Sequence, residues 1–358
     1  MKSTGSVRRQ ILQHTFSFFS AILAALILGI LLLWLDGKAP GDVLNSAFTS
    51  TFASNFRFAN MVSRLLTIVL VALAAAVPFK AGIWNIGGDG QLAIGGFSAA
   101  LIGFSLTGLP PAVHIPLAIL VGMLGGAIWA AIPAFLRLRF RANEIVTTIM
   151  MNYLALLLTG YLVNYPFRAP GAANAETSLV QDSAVLTRMV PLSNLSTGLF
   201  LTIIAFLIIY FLDRKTIWGY EWRVLGANDE FGRCGGVSDK KMRFLAMCLG
   251  GALAGLAGSI LVLGVYHKFI LGMGGSVGFT GVLIALIAAN SPALILVVSM
   301  IFAILQSSMV GMESKMGVAT EFSDIIQSII ILMVITRSKL WSTISKIRPH
   351  RKPYGNPG

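Results

Sequence analysis

Polar residues interrupt the apolar stretch at 82–100, which reads GIWNIGGDGQLAIGGFSAA. It holds two amide side chains, Asn85 and Gln91, and one carboxylate, Asp89, among glycines that let one backbone approach another backbone or a ligand closely. These groups can hydrogen-bond a passing solute, and an acid in the first turn of a helix also pairs with the free amide hydrogens there. The segment is therefore either a broken helix that lines a solute path or a close-packed helix start whose polar groups satisfy one another.

A second set of polar residues lies in the segment ANEIVTTIMMNYLA at 142–155. Glu144, Thr148 and Asn152 recur every four residues, so they lie on nearly one face of a helix. Such a stripe on an apolar membrane helix faces the bundle interior or a water-filled path, and hydrogen bonding between helices is the alternative. We favour the path. The candidate residues of this segment are Asn143, Glu144, Thr148, Asn152 and Tyr153.

The reactive side chains of the rest of the sequence form no pattern typical of an enzyme. The four histidines are widely scattered, no HExxH motif occurs, and the two cysteines suggest neither a disulfide framework nor a metal site. No GxxxxGK[ST] phosphate loop is present, so the chain does not hydrolyse ATP by that route. We therefore predict no catalytic residue, no metal site and no cofactor in this chain.

The elements that position the polar residues are predicted to be membrane helices. Of the 358 residues, 56% are hydrophobic and 11% are charged, whereas a soluble domain is about a quarter charged. Long apolar runs recur along the whole chain, which indicates an all-α integral membrane protein. The net charge of +13 does not indicate a nucleic-acid partner, because the basic residues fall in short clusters between the apolar runs.

About ten transmembrane helices are predicted, some of them broken or short, with both termini in the cytoplasm. This topology places most of the 27 Lys and Arg residues inside, as the positive-inside rule requires. The segments 199–212 and 278–289 are short for a bilayer that needs about 20 residues. The predicted segments are 16–35, 59–79, 89–108, 113–136, 144–164, 199–212, 244–265, 278–289, 293–310 and 322–336.

The predicted organisation has three parts: a cytoplasmic N-terminal segment at 1–15, a transmembrane domain at 16–336 and a basic cytoplasmic tail at 337–358. Two loops of the transmembrane domain exceed what a tight connector needs, the outer loop 165–198 and the inner loop 213–243. The inner loop is basic, glycine-punctuated and the most charged stretch of the protein, so we expect it to bind a partner.

The inner loop and the helix after it, GYEWRVLGANDEFGRCGGVSDKKMRFLAMCLGGALAGLAGSILVLG, resemble the ATPase-docking region of bacterial ABC-importer permeases. The family is the one that includes ribose and branched-chain amino acid permeases. Its core elements correspond here to Gly226 and Asn228, Gly236-Val237, and the segment Ala254 to Gly258. The resemblance implies that a short helix in this loop lies parallel to the membrane and is moved by an ATPase. The implied docking residues are Arg223, Gly226, Asn228, Arg233 and Gly236.

Four further motifs, in order along the chain, resemble the nucleoside and simple-sugar branch of this family. Asn85 to Gln91 is similar to its Asn-Ile-Gly-x-Glu-Gly-Gln signature, with Asp89 where Glu is usual. The other matching segments are 142–155, where related importers have a gate, 274–293 and 321–332. Two departures are Asp229 in place of a common Pro and Thr280 in place of an Asp.

The resemblance covers roughly residues 60 to 335 of the predicted transmembrane domain, and it implies the function of a bacterial ABC-importer permease subunit in the cytoplasmic (inner) membrane. It would pass a small polar solute by alternating access, a nucleoside first, with riboflavin or a simple sugar as alternatives. The implied partners are a second permease subunit (a distinct homologue or a second copy), a cytoplasmic ATPase that binds ATP and Mg, an extracytoplasmic substrate-binding lipoprotein and membrane lipid. From another class, a self-contained ion-coupled secondary carrier is the alternative.

Overall fold

The computed structural model describes residues 51–316, together with Gly41, Asn45 and Thr49. Thr51–Ser307 form one compact unit, to which all contacts given below belong. Within the described ranges the chain is helical and contains no β-strand, only two isolated β-bridges.

The helices follow one another with short connections, apart from the outer loop between the fourth and fifth and the segment 262–276 between the eighth and ninth. They are α1 (Asn55–Lys80), α2 (Gly88–Ser105), α3 (Pro111–Phe140), α4 (Glu144–Asn164), α5 (Gly198–Lys215), α6 (Ile217–Ala227), α7 (Asp229–Cys234), α8 (Asp239–Leu261), α9 (Val277–Ile287) and α10 (Pro292–Met316). A π-helical turn, Val262–Tyr266, extends α8.

Four of these helices are long and apolar enough to cross a membrane: α1, α3, α4, and α8 with its π-helical turn. The prediction of an all-α membrane protein is thus confirmed. The short segment predicted at 199–212 is lengthened by flanking residues in α5. By contrast, the 11 residues of α9 extend only about 16 Å, roughly half the hydrocarbon thickness. The predicted segments 16–35 and 322–336 lie outside the described residues, so the ten-helix count stays a prediction.

Local sequence explains where several of the helices begin and end. The Ser54 hydroxyl accepts a hydrogen bond from the amide of Arg57 and so caps α1. Pro111 occupies the first position of α3, where its missing N–H costs nothing. That helix ends at Arg141, whose φ of 58° is left-handed and breaks the helical path.

The centre of the bundle is formed by α1 and α8. In the most apolar 18-residue stretch of each helix, 72% of the residues are buried. The glycines of α3 and α8 bring these two helices into backbone contact. A Cβ at Gly126 would collide with the carbonyl oxygen of Gly251, and one at Gly255 with that of Gly122. This is the small-residue packing that membrane helices use in place of a hydrophobic driving force.

The outer loop lies along the segment that follows α8. The amides of Thr177, Val180 and Leu186 donate to carbonyl oxygens of that segment at 2.9–3.0 Å. A turn of 3-10 helix, Asp182–Ala184, is held by the fully buried His114 of α3, whose Nδ1 lies 2.8 Å from the Ser183 hydroxyl. The loop is therefore an integral part of the fold and covers the outer ends of α2, α3 and α8.

Candidate functional site

The connection from α1 to α2 enters the interior of the protein at Asn85, which is buried together with Gln91. The two amide side chains pair reciprocally: Gln91 Nε2 donates to Asn85 Oδ1 at 2.8 Å, and Asn85 Nδ2 donates to Gln91 Oε1 at 3.1 Å. Asn85 also accepts from the Gly87 amide at 3.1 Å and donates to the Ala74 carbonyl oxygen at 3.4 Å. Both side chains are thus satisfied inside the bundle.

The polar stripe of α4 meets this connection. The Asn152 side chain donates to the Ile86 carbonyl oxygen at 2.9 Å and accepts from the Gly90 amide at 2.8 Å. The Thr148 hydroxyl accepts from the Ile86 amide at 3.3 Å. A Cβ at Gly90 would lie only 3.0 Å from Asn152, so glycine is needed for this approach. The two polar sets predicted from the sequence therefore form one structure, which we call the amide cluster: Asn85, Gln91, Thr148, Asn152 and the backbone of 86–90.

Asp89 lies beside the amide cluster and joins two helices. Its Oδ1 accepts from the amide of Gly278 at 2.6 Å, in the first turn of α9. The sequence predicted that Asp89 caps its own helix, α2, whereas the structure places its carboxylate on the free amides of α9. Gly278 makes this possible, because a Cβ there would overlap the carboxyl group. One carboxylate thus lies at the positive ends of two helix dipoles.

Three candidates of the α4 segment lie outside the amide cluster. Asn143 caps α4, because its Oδ1 accepts from the Ile145 amide at 3.0 Å. Glu144 is buried and forms an ion pair with Arg137 of α3 at 3.1 Å. Tyr153 is 60% exposed on the opposite side of α4. The segment therefore has an inward face that hydrogen-bonds the protein and an outward face that presents an aromatic ring.

The outward face of α4 continues into a groove of about 440 Å³ near the end of the helix. Tyr161, Asn164 and Tyr165 line it, and the two tyrosine rings lie 5.1 Å apart. Arg168 and Leu271 also line it. Sequence reasoning did not identify these residues, although Tyr161 follows Tyr153 by eight positions, close to the helical repeat.

The inner loop folds into two short helices, α6 and α7, which we call the docking pair. Asn228 joins them and caps α7, because its Oδ1 accepts from the amides of Glu230 and Phe231 at 3.0 and 3.1 Å. Trp222 is buried, and its indole N–H donates to the Met242 carbonyl oxygen of α8 at 3.3 Å. The helix predicted in this loop is therefore present, and the docking candidate Asn228 caps it.

Glycine brings the docking pair against the transmembrane bundle. A Cβ at Gly226 would collide with the carbonyl oxygen of Lys80, the last residue of α1. Gly236 has a φ of 81°, a left-handed conformation that L side chains rarely adopt, and it turns the chain from α7 towards α8. The two predicted glycines thus serve different purposes, close contact at position 226 and a turn at position 236.

Ion pairs surround the docking pair. Arg243 of α8 is buried and bonds Asp229, the residue that stands where related permeases have Pro, and it lies 2.8 Å from Asp239. The exposed Arg233 lies 3.9 and 3.8 Å from the same two carboxylates. Asp229 is therefore an ion-pair partner of the helix that follows the loop.

A second ionic centre joins the docking pair to the bundle. Asp213, at the end of α5, pairs with Lys80 at 2.6 Å and with Arg223 of α6 at 3.2 Å. Neither Asp213 nor Lys80 was a sequence candidate. The available signal was an acid at the C-terminal end of a helix, where the helix dipole disfavours it unless cations compensate.

The exposed surface of the docking pair carries more apolar side chains than a surface that contacts only water. Large side chains are exposed along both helices, which is typical of a protein–protein contact. They are Ile217, Trp218, Tyr220 and Phe231. Among the described residues, no group of three or more His, Cys, Asp or Glu side chains could hold a metal ion.

Residues 57–335 match the family described as "Branched-chain amino acid transport system / permease component". The guanosine ABC transporter permease protein NupP of Bacillus subtilis (strain 168) is 29% identical over 94% of this chain and 97% of its own. The glucose ABC transporter permease protein TsgB13 of Haloferax volcanii is 31% identical over 88% of this chain and 85% of its own. The nucleoside ABC transporter permease protein NupB of Lactococcus lactis subsp. cremoris is 29% identical over 88% and 89%.

The family match covers the span over which the sequence motifs predicted it, and it decides between the two classes of transporter left open above. A permease component works with other subunits, so the self-contained secondary carrier is not supported. The chain carries the solute path and leaves ATP hydrolysis to a separate subunit. It belongs to the branched-chain amino acid transport system permease family, as a multi-pass ABC transporter permease of the cytoplasmic membrane.

Proposed function

We propose that this permease passes a nucleoside across the bacterial cytoplasmic membrane by alternating access, driven by an ATPase that binds the docking pair. The observation that carries the mechanism is the backbone contact of Gly226 with Lys80. Five residues beyond Lys80 the chain reaches Asn85 in the amide cluster. A displacement of α6 is therefore transmitted through the end of α1 to the polar interior.

The choice of a nucleoside rests on the outward face of α4. Tyr153 and Tyr161 are exposed on α4 and Tyr165 directly after it, and Asn164 lies beside the last two. Aromatic rings stack on nucleobases regardless of base identity, and neutral amides hydrogen-bond an uncharged solute. Two of the three relatives above are named as guanosine or nucleoside permeases, which supports the same choice.

Riboflavin, another ring-bearing solute, suits the same tyrosines. A simple sugar is a second candidate because of the relative named as a glucose permease.

Three partners complete the proposed importer. The ATPase contacts the exposed apolar side chains of α6 and α7 and supplies ATP and Mg. A second permease, either a distinct homologue or a second copy, lies against α4 and encloses the solute path, because the exposed tyrosines form only one wall of it. An extracytoplasmic substrate-binding lipoprotein delivers the solute to the outer loop.

The test uses the assembled importer in proteoliposomes, with the binding protein outside. ATP is enclosed in the vesicles or, as the control, added outside only. Thermal shifts of the binding protein with guanosine, riboflavin and glucose identify the ligand, and uptake of the same three solutes is then measured. We expect a shift and ATP-dependent uptake with guanosine. A shift and uptake with glucose alone would establish the sugar instead, and uptake by this chain alone under an ion gradient would refute the ABC mechanism.

A further inference from the structure

The carboxylate of Asp213 is buried although it is charged. Its side chain is 7% exposed and lies at the C-terminal end of α5, where the helix dipole is unfavourable to an acid. A buried ion is stable only when it is paired and hydrogen-bonded. The position of this residue is therefore determined by its cationic partners.

Those partners come from different elements. Lys80, at the end of α1, lies 2.6 Å from Asp213 Oδ1 and is itself 14% exposed. Arg223 of α6 lies 3.2 Å from the same oxygen and also donates to the main-chain carbonyl of Asp213. Arg214, the next residue in sequence, is 56% exposed and only reaches 4.0 Å. One carboxylate oxygen thus bridges the docking pair to the end of α1.

Backbone packing fixes α6 on both sides of this bridge. A Cβ at Gly219 would collide with the carbonyl oxygens of Leu212 and Asp213, and a Cβ at Gly226 with that of Lys80. The helix therefore lies directly on the ends of α5 and α1. The side chain of Asp213 connects the same two helix ends by charge.

We propose that Asp213 is a positioning residue for energy coupling, which locks α6 to the end of α1 so that the two move as one body. This inference rests on the proposed function, because coupling has a meaning only if an ATPase moves the docking pair. Without the carboxylate, Lys80 and Arg223 repel each other across the joint, and α6 moves without carrying α1. ATP hydrolysis then continues while the amide cluster stays in place.

The experiment measures solute transported per ATP hydrolysed by the complete importer in proteoliposomes. Asp213→Asn is expected to lower this ratio about tenfold, a normal size for a coupling effect between two sites, while the ATPase co-purifies in wild-type amounts. Lys80→Gln, which leaves the Asp213–Arg223 pair intact, is expected to lower the ratio less. Arg214→Gln removes the same charge beside the same acid without touching the bridge, and its ratio is expected to equal that of the wild type.

The outcomes separate this inference from the proposed function. If the wild-type importer shows no ATP-dependent transport, the proposed function fails and the inference fails with it. If the wild type is coupled and Asp213→Asn transports as much per ATP, only the inference is overturned. Where Asp213→Asn does not accumulate in the membrane, the comparison of Lys80→Gln with Arg214→Gln decides, and equal ratios overturn the inference.

Discussion

The amide cluster and the docking pair are both polar, yet they are held together by different bonds. In the amide cluster the side-chain partners are neutral amides, a hydroxyl and main-chain groups. Around the docking pair three carboxylates, Asp213, Asp229 and Asp239, are matched by arginine and lysine. The same protein thus uses neutral hydrogen bonds in one region and ion pairs in the other.

The medium explains this difference. Within a bilayer no water replaces a missing partner, and an ion pays a far larger desolvation penalty than an amide does. Neutral groups that satisfy one another are therefore suited to the interior. The docking pair has exposed side chains and lies next to water, and the buried charges around it, such as Asp213 and Arg243, are each paired with an opposite charge. The comparison predicts that the amide cluster is sensitive to the loss of a hydrogen-bonding partner, and the docking pair to packing, capping and salt.

The largest effect on stability is expected from Asn85→Leu. This change removes four hydrogen bonds and leaves the buried Gln91 amide without its partner, which costs about 3 kcal/mol. The measurement is the free energy of unfolding of the purified protein in detergent micelles. The double variant Asn85→Leu/Gln91→Leu removes both partners together and is expected to be more stable than Asn85→Leu alone. A loss below about 0.5 kcal/mol for the single change would show that the amide pair is not a structural unit.

The residues of the amide cluster could be predicted from the sequence, but their partners could not. Polar side chains in an apolar run are conspicuous, and the spacing of Thr148 and Asn152 fixes the face of α4 on which they lie. Which backbone they bond depends on how α4 crosses the connection from α1 to α2. Asp89 illustrates this most clearly, because the amide that donates to its carboxylate belongs to Gly278, 189 residues away in sequence.

For the docking pair, the sequence motif located the loop and Asn228, whereas the ion pairs of Asp213 and Lys80 were missed. Asn228 is recognisable because a cap acts on the next few residues of its own chain. Asp213 and Lys80 lie on α5 and α1, which are far apart in the sequence. Because the inner loop contains many basic residues, the sequence does not show which of them pairs with a given acid. Sequence rules therefore identified hydrogen bonds between neighbouring residues but not ion pairs between distant helices.

Gly226→Ala is expected to have the next largest effect on stability, because it disturbs the close packing of the docking pair against α1. Its Cβ would meet the Lys80 carbonyl oxygen, so α6 must shift from α1, at a cost of about 2 kcal/mol. Thermal unfolding measures this cost, and the binding-protein-stimulated ATPase rate reports the loss of coupling. Gly235→Ala is the matched control, since its φ is −77° and no atom lies closer than 3.4 Å to the added Cβ. Equal effects of the two substitutions would argue against the contact with α1.

Removal of the cap between the two helices is expected to have a smaller effect. Asn228→Ala frees the amides of Glu230 and Phe231 and destabilises α7 by about 1 kcal/mol. Hydrogen exchange of the α7 amides should accelerate about fivefold, while the amides of α4 keep their rates. Asn228→Ser retains an accepting oxygen and is expected to restore most of the protection. Unchanged exchange in Asn228→Ala would show that α7 does not depend on this cap.

The smallest effect, and the sharpest test of the comparison, concerns the exposed ion pairs of Arg233. They lie at 3.8–3.9 Å from Asp229 and Asp239, and the arginine side chain is 62% exposed, so Arg233→Gln is expected to cost less than about 0.5 kcal/mol. Added salt weakens the same ion pairs by screening, because the Debye length falls to about 3 Å at about 1 M salt. Amide exchange in α7 should therefore quicken modestly between low and high salt in the wild type and less so in Arg233→Gln. The amides of Gly87, Gly90 and Gln91 are held by neutral groups and are expected to exchange at the same rate in both buffers. A salt-dependent rate there would mean that the amide cluster relies on charge after all.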